Sequence, residues 1–147
     1  MKLFGSKKPS SSEQNQIKEH IRTIELFYKM MYDGCGIDIF VECKNRVLTA
    51  STELIKYEEK YPNFFVAPGP KENSARILDE LPECEREFID YMLQRLERKL
   101  LDYSTDRGKR NNFNKEVDKF KYFAGEFLPE TVDYFNQQLQ RRFPEFL

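Results

Sequence analysis

Apolar residues recur at three- and four-residue spacing through most of this chain, and no strand-like period-2 run of any length occurs. Ile17, Ile21, Ile24, Tyr28 and Met31 step by four, three, four and three, which places them on one face of a helix. The period returns with Ile37, Phe40, Val41, Val47, Leu48, Leu54 and Ile55. It returns again with Leu78, Leu81, Phe88, Ile89, Met92, Leu96, Leu100 and Tyr103, and with Phe113, Val117, Phe120, Ala124 and Phe127. With only six Gly, the chain is confined to an all-α fold.

Four helical segments are expected, over about 13–33, 37–60, 74–103 and 110–142. Gly34 and Gly36 stop the first. Tyr61-Pro62 ends the second. Residues 61–73, with Pro62, Pro68, Gly69 and Pro70, read as the longest loop, although Phe64, Phe65 and Val66 make it apolar. In the third segment Pro82 either kinks the helix or opens a new one. Pro129 interrupts the fourth in the same way. Leu81-Pro82-Glu83-Cys84 and Leu128-Pro129-Glu130-Thr131 look alike, but their downstream residues do not align without a gap, so they are punctuation rather than a repeat. Short turns between such segments predict an antiparallel four-helix up-down bundle, with helices 3 and 4 kinked or split at Pro82 and Pro129. Residues 1–12 read as a flexible basic tail with Ser12 as helix N-cap, leaving 13–147 as a single domain.

A chain of 147 residues buries roughly 70% of its unfolded surface, enough to fold without staples. The 13 Phe and 8 Tyr, with no Trp, predict an aromatic-rich core. With 24 basic against 25 acidic residues there is no strong nucleic-acid signal. No apolar run reaches the roughly 18 residues of a membrane span. The apolar start, Leu3-Phe4, is too short for a signal peptide. Cys35, Cys43 and Cys84 are odd in number and widely spaced, as reduced thiols would be. A cytoplasmic location is expected.

Little here reads as chemistry. His20 is the only histidine, so the paired Glu-x-x-His of a di-iron bundle is excluded. Cys35, Cys43, Cys84 and His20 match no compact zinc spacing. There is no G-x-S-x-G, P-loop or G-x-G-x-x-G. No catalytic residue, metal or cofactor is assigned, and an enzyme is the less favoured reading.

The informative residues are those that interrupt the stripes. Lys44 falls among Phe40, Val41, Val47 and Leu48, and Ser51 comes next on the same line. Glu85 falls on the line of Leu81, Phe88, Ile89 and Met92 if the helix continues through Pro82. Lys44, Ser51 and Glu85 are therefore candidate ligand-binding residues around a polar cleft, with Lys44 and Glu85 a candidate buried pair. The bland alternatives are a Lys44 that snorkels to solvent, a Glu85 in an exposed first turn, and a Ser51 hydroxyl bonded back to the preceding helical turn. Past Pro129 the stripe continues as Thr131, Tyr134 or Phe135, Gln138 and Arg142, so the last helix leaves the bundle, closes a polar cleft, or frays.

Residues 79–87 are acidic and 107–121 basic. Arg107, Lys109 and Arg110, at a helix start, are candidate anion-binding residues, against the simpler reading of a solvated face. Phe64, Phe65, Val66 and Phe146 are candidate partner-binding residues, the loop otherwise serving as a cap on the core. Residues 123–132 resemble the aromatic-Leu-Pro-x-Thr turn of bacterial XpaC-like helical proteins. The likeness covers ten residues, is equally explained by a helix that starts at proline, and implies no catalytic residue. The sequence favours a protein-protein interaction or regulatory module, self-associating through the 64–66 loop or the C-terminal tail. The alternative is a helical bundle that binds a small molecule or phosphate.

Overall fold

The computed structural model describes residues 7–147, so the first six residues of the expected tail lie outside the described residues. All regular structure among the described residues is helical. It comprises α1 (Ser11–Tyr32), α2 (Ile37–Lys60), α3 (Pro70–Leu101), α4 (Asp106–Phe123) and α5 (Pro129–Arg142), with 3-10 turns at Ala124–Glu126 and Pro144–Phe146. There are thus five α-helices where four segments were expected. None of them is long and apolar enough to cross a membrane. The chain divides into two compact units. One comprises the segment ending at Asp33 together with Glu42–Glu80; the other comprises Gly34–Val41 and Leu81–Leu147.

In the first unit, α1 begins two residues earlier than the sequence suggested. Ser10, not Ser12, is the N-cap, because only from Ser10 does an acid fall three residues on. The Ser10 hydroxyl accepts from the Glu13 N–H at 3.1 Å, and Glu13 Oε1 accepts from the Ser10 N–H at 2.9 Å, a closed capping box. The Glu13 carboxylate also accepts from the Tyr61 hydroxyl at 2.7 and 2.8 Å and pairs with Lys60 at 3.2 Å. Further along, Tyr57 donates to Gln16, and the Arg46 guanidinium lies 5.0 Å from the Phe27 ring centre. Pairings of 13 with 61, 16 with 57 and 27 with 46 mean that α1 and α2 run antiparallel.

The expected loop over 61–73 is shorter than its prolines implied. Pro70 occupies the first position of α3, where a missing N–H and a fixed φ are assets. Gly69 precedes it and has no side chain to cap with. Glu58 of α2 supplies the acceptor, taking the Lys71 N–H at 2.9 Å. A Cβ at Gly69 would displace the Glu58 carboxylate from its place beside the start of α3. The Ala67–Pro68 peptide is cis.

In the second unit, α3 passes through Pro82 without interruption. Leu78, whose carbonyl the proline cannot bond, is 52% exposed, so that carbonyl faces the solvent side where water can serve it. Ile77 rather than Leu78 occupies the buried line that leads into Leu81, Cys84 and Phe88. Pro129 does break the chain. Phe127 and Leu128 are extended, as a residue before proline prefers, and Pro129 starts α5.

The core of this unit is a set of stacked rings. Phe40 stacks on Phe88 at 4.2 Å, and Phe120 on Phe135 at 3.8 Å. Phe127 lies 5.1 to 6.0 Å from Phe120, Phe40 and Phe88. Such pairs add about 0.5–1.5 kcal/mol each beyond area burial.

Glu85 overturns the expectation of an exposed first turn, since it is completely buried. Its Oε1 accepts from the Leu128 N–H at 3.0 Å and the Thr131 hydroxyl at 2.6 Å. It therefore ties the turn into α5 back to α3, while the Thr131 and Val132 N–H groups go to the Leu128 carbonyl. The polar line past Pro129 neither leaves nor frays. Asp90 Oδ1 accepts from Tyr134 at 2.7 Å and Arg142 at 3.1 Å, and Glu97 lies 3.7 Å from Arg142. The pairings 85 with 131, 90 with 134 and 97 with 142 rise together, so this part of α3 and α5 run side by side in one direction. Lys99 with Glu116 and Tyr103 with Asn112 set α3 and α4 antiparallel.

Glu13 ties stability to pH, and both Glu13 and Glu85 tie it to single substitutions. The Ser10 N–H, the Tyr61 hydroxyl and Lys60 hold the Glu13 carboxyl down to about 2. In the unfolded chain it protonates near 4.3. Its contribution to stability is therefore complete above that range and drains away as pH falls toward 2. Urea unfolding of Glu13→Gln should show a deficit relative to the native chain at pH 6 that closes by about pH 2. Glu85→Ala, which strands two buried donors, should cost about 3 kcal/mol in urea unfolding, and Thr131→Val less, about 1 kcal/mol.

Candidate functional site

In the first unit, α1, α2, the 61–69 loop and the start of α3 enclose a cavity of about 400 Å³. Its floor is Ile17, Ser51, Leu54 and Ile77, all buried; its walls include Ile21, Ile24, Phe64, Phe65, Val66, Pro68 and Pro70. Half of the α1 stripe is thus cavity wall rather than packed core, which is why Ile21 is 40% exposed. Phe64 and Phe65 meet edge to face at 5.4 Å, and Val66 is 85% exposed. The loop is therefore a partial cap: it covers one side of a hollow and leaves Val66, and part of Phe64, in solvent.

Ser51 is the anomaly of this cavity. It is 5% exposed, and its hydroxyl oxygen has no hydrogen-bond partner among the described residues. The expected bond back to the preceding helical turn is not made. Its neighbour Thr52 does make that bond, donating to the Leu48 carbonyl at 3.0 Å. The remaining polar lining groups are occupied or at the rim. Asn73 Nδ2 donates to the Pro68 carbonyl at 3.3 Å, Arg76 pairs with Glu80 at 3.1 Å, and Glu25 is exposed.

The cavity therefore unites Ser51 with Phe64, Phe65 and Val66, which the sequence had placed in different roles. Lys44 is buried in the α2 part of the first unit but does not line the cavity. Glu85 belongs to the second unit, where it ties the turn into α5 back to α3. The lining is mainly apolar, not the polar cleft foreseen around Lys44, Ser51 and Glu85. In the sequence Ile21 and Ile24 read as ordinary core, and Asn73 and Arg76 as ordinary polar positions. Nothing in their spacing separates a wall from a packed face.

The basic candidates are less concentrated. Lys109 and Arg110 border an open depression of about 640 Å³ in the second unit, together with Glu97, Asp106, Arg142 and Glu145; Arg107 does not. Arg110 donates to the Glu145 carbonyl at 3.4 Å and lies 5.9 Å from the Phe146 ring centre. Acids thus stand among the cations. Phe146 stacks on Phe113 at 5.0 Å, so the C-terminal turn docks on its own unit. Burial pushes the Cys43 thiol up, toward the unreactive protonated form. None of the three cysteines forms a disulfide, and no three His, Cys, Asp or Glu side chains among the described residues cluster as a metal would need.

No family model, curated protein or solved structure matches this chain.

An unbonded hydroxyl in an apolar wall is a net loss to the folded state, and alanine is the better helix former. Ser51→Ala should therefore raise the unfolding free energy by about 1 kcal/mol in urea titration.

Proposed function

We propose that this chain is a small-molecule-binding helical protein and that its ligand occupies the cavity of the first unit. The observation that carries this reading is the cavity itself, about 400 Å³ and lined mainly by isoleucine, leucine, phenylalanine, valine and proline side chains. Ligand sites are concave and mainly apolar, span about 300–1,000 Å³, and carry a few placed polar groups. A cavity of about 400 Å³ with that lining fits the description. The competing reading is a partner or a second copy docking on the 64–66 loop, supported by the exposure of Val66.

A thermal-shift screen with a library of small lipophiles separates the two. A ligand at 100 times its Kd stabilises by about 2.7 kcal/mol, which raises Tm by roughly 5–10 °C for a chain of this size. Specific hits should lose their shift in Ile24→Trp, which fills the cavity from its half-buried wall. A screen without such hits, together with a dimer in size-exclusion chromatography that Val66→Asp dissociates, would replace this reading with the docking one.

A further inference from the structure

We infer that a pocket of about 310 Å³ in the second unit, lined by α3, α4 and the start of α2, binds a small phosphomonoester, with the oxyanion on its cations and an apolar group on its floor. The site owes nothing to the binding function proposed for the first unit. Three cations border it, Arg95 and Lys99 one turn apart on α3 and Lys119 on α4; Glu116 is the one acid of the lining among the described residues. The larger depression of the same unit sets Lys109, Arg110 and Arg142 against Glu97, Asp106 and Glu145, so its charges balance, whereas here cations prevail.

Lys99 pairs with Glu116 at 3.4 Å and is neutralised by it. Arg95 and Lys119 make no ion pair among the described residues, and the Arg95 guanidinium has only the Tyr91 ring, 5.6 Å from its centre. A guanidinium grips two oxygens of a phosphate side by side, and a lysine adds a point charge. The Asp38 carboxylate lies against Gly36, so the start of α2 offers no attraction of its own, and the pull on an anion comes from Arg95 and Lys119. Both cations are exposed, while Ile37 and Leu96 are buried and Met92 is half-buried. The phosphate therefore belongs at the mouth, where its charge stays hydrated, and a small hydrocarbon belongs on the floor. At about 30 Å³ for each water-sized unit the pocket holds about ten heavy atoms, phosphate included.

The test is isothermal titration of the full chain with phenyl phosphate, inorganic phosphate and phenol at low ionic strength and about pH 8, where the phosphate is a dianion. Phenyl phosphate should bind about tenfold more tightly than phenol, and more tightly than inorganic phosphate. Arg95→Gln and Lys119→Gln should each weaken it about five- to tenfold. Lys115→Gln, exposed on α4 but outside the lining, should leave it unchanged, as should Ile24→Trp in the first unit. Phenol binding as tightly as phenyl phosphate would overturn the anionic class, and inorganic phosphate binding as tightly would overturn the apolar part. Equal weakening in Lys115→Gln and Lys119→Gln would reduce the site to the diffuse field of a basic helix. Loss of binding in Ile24→Trp would assign the ligand to the cavity of the first unit instead. No saturation of the native chain by about 10 mM phenyl phosphate would remove the site altogether.

Discussion

Each helix that starts within the chain must hand its first N–H groups to an acceptor, and the way this is met fixes much of the structure. α1 and α4 use their own cap residues, Ser10 and Thr105. α3 and α5 both start at a proline, preceded by Gly69 and Leu128, which cannot cap. A carboxylate from the preceding part of the chain serves each junction: Glu58 takes the Lys71 N–H of α3, and Glu85 takes the N–H of Leu128, just before α5, and the Thr131 hydroxyl. Glu85 can do so only because α3 continues through Pro82, which keeps it on the same face as Leu81 and Phe88. The two Leu-Pro-Glu segments therefore have opposite fates for linked reasons. One stays helical and delivers the acid; the other breaks and receives it.

The two units solve the problem of filling an interior differently. The second is packed with phenylalanine rings stacked at 3.8 to 6.0 Å. In the first, the aromatic residues of α1 and α2 are mainly tyrosines whose hydroxyls are held by side chains near the surface, Tyr61 by Glu13, Tyr57 by Gln16 and Tyr28 by Glu80. Anchored at their polar ends, Tyr28 and Tyr57 stay half-buried, whereas Tyr61 is buried. The centre is left to Ile17, Leu54 and Ile77, and Phe64 and Phe65 come to its side from the loop. The hollow lies in the unit where rings are tethered, and the dense core lies where they are not.

The helical class was legible because the three- and four-residue spacing recurs through most of the chain. At Pro129, as at Pro82, the sequence left a kink and a break open, and the chain breaks at Pro129. The fate of Pro82 was not legible, because proline at a solvent-facing position costs far less than at a buried one, and its facing depends on tertiary packing. Leu78 and Ile77 exchanged roles for the same reason: adjacent apolar residues leave the phase of a stripe uncertain by one position. Ser51 stood out in the sequence as a polar residue on an apolar line, and Phe64 and Phe65 as apolar residues in a loop. That these meet in one cavity depends on residues far apart in the chain. The burial of Glu85 was suggested by its phase, but its role needed the start of α5, more than forty residues later.

Adjacent hydroxyls in α2 sharpen the meaning of the cavity. Thr52 is exposed, where water would serve it, yet it bonds to the Leu48 carbonyl. Ser51 is buried, where an unmet hydroxyl is most costly, yet it makes no bond. Stability alone would favour the reverse arrangement, or alanine at position 51. A sequence whose capping, turns and ring packing agree so closely with its fold departs from that agreement at this one residue, and it does so in the wall of a cavity. Local conflicts of this kind are among the places where a natural sequence departs from the demands of its fold.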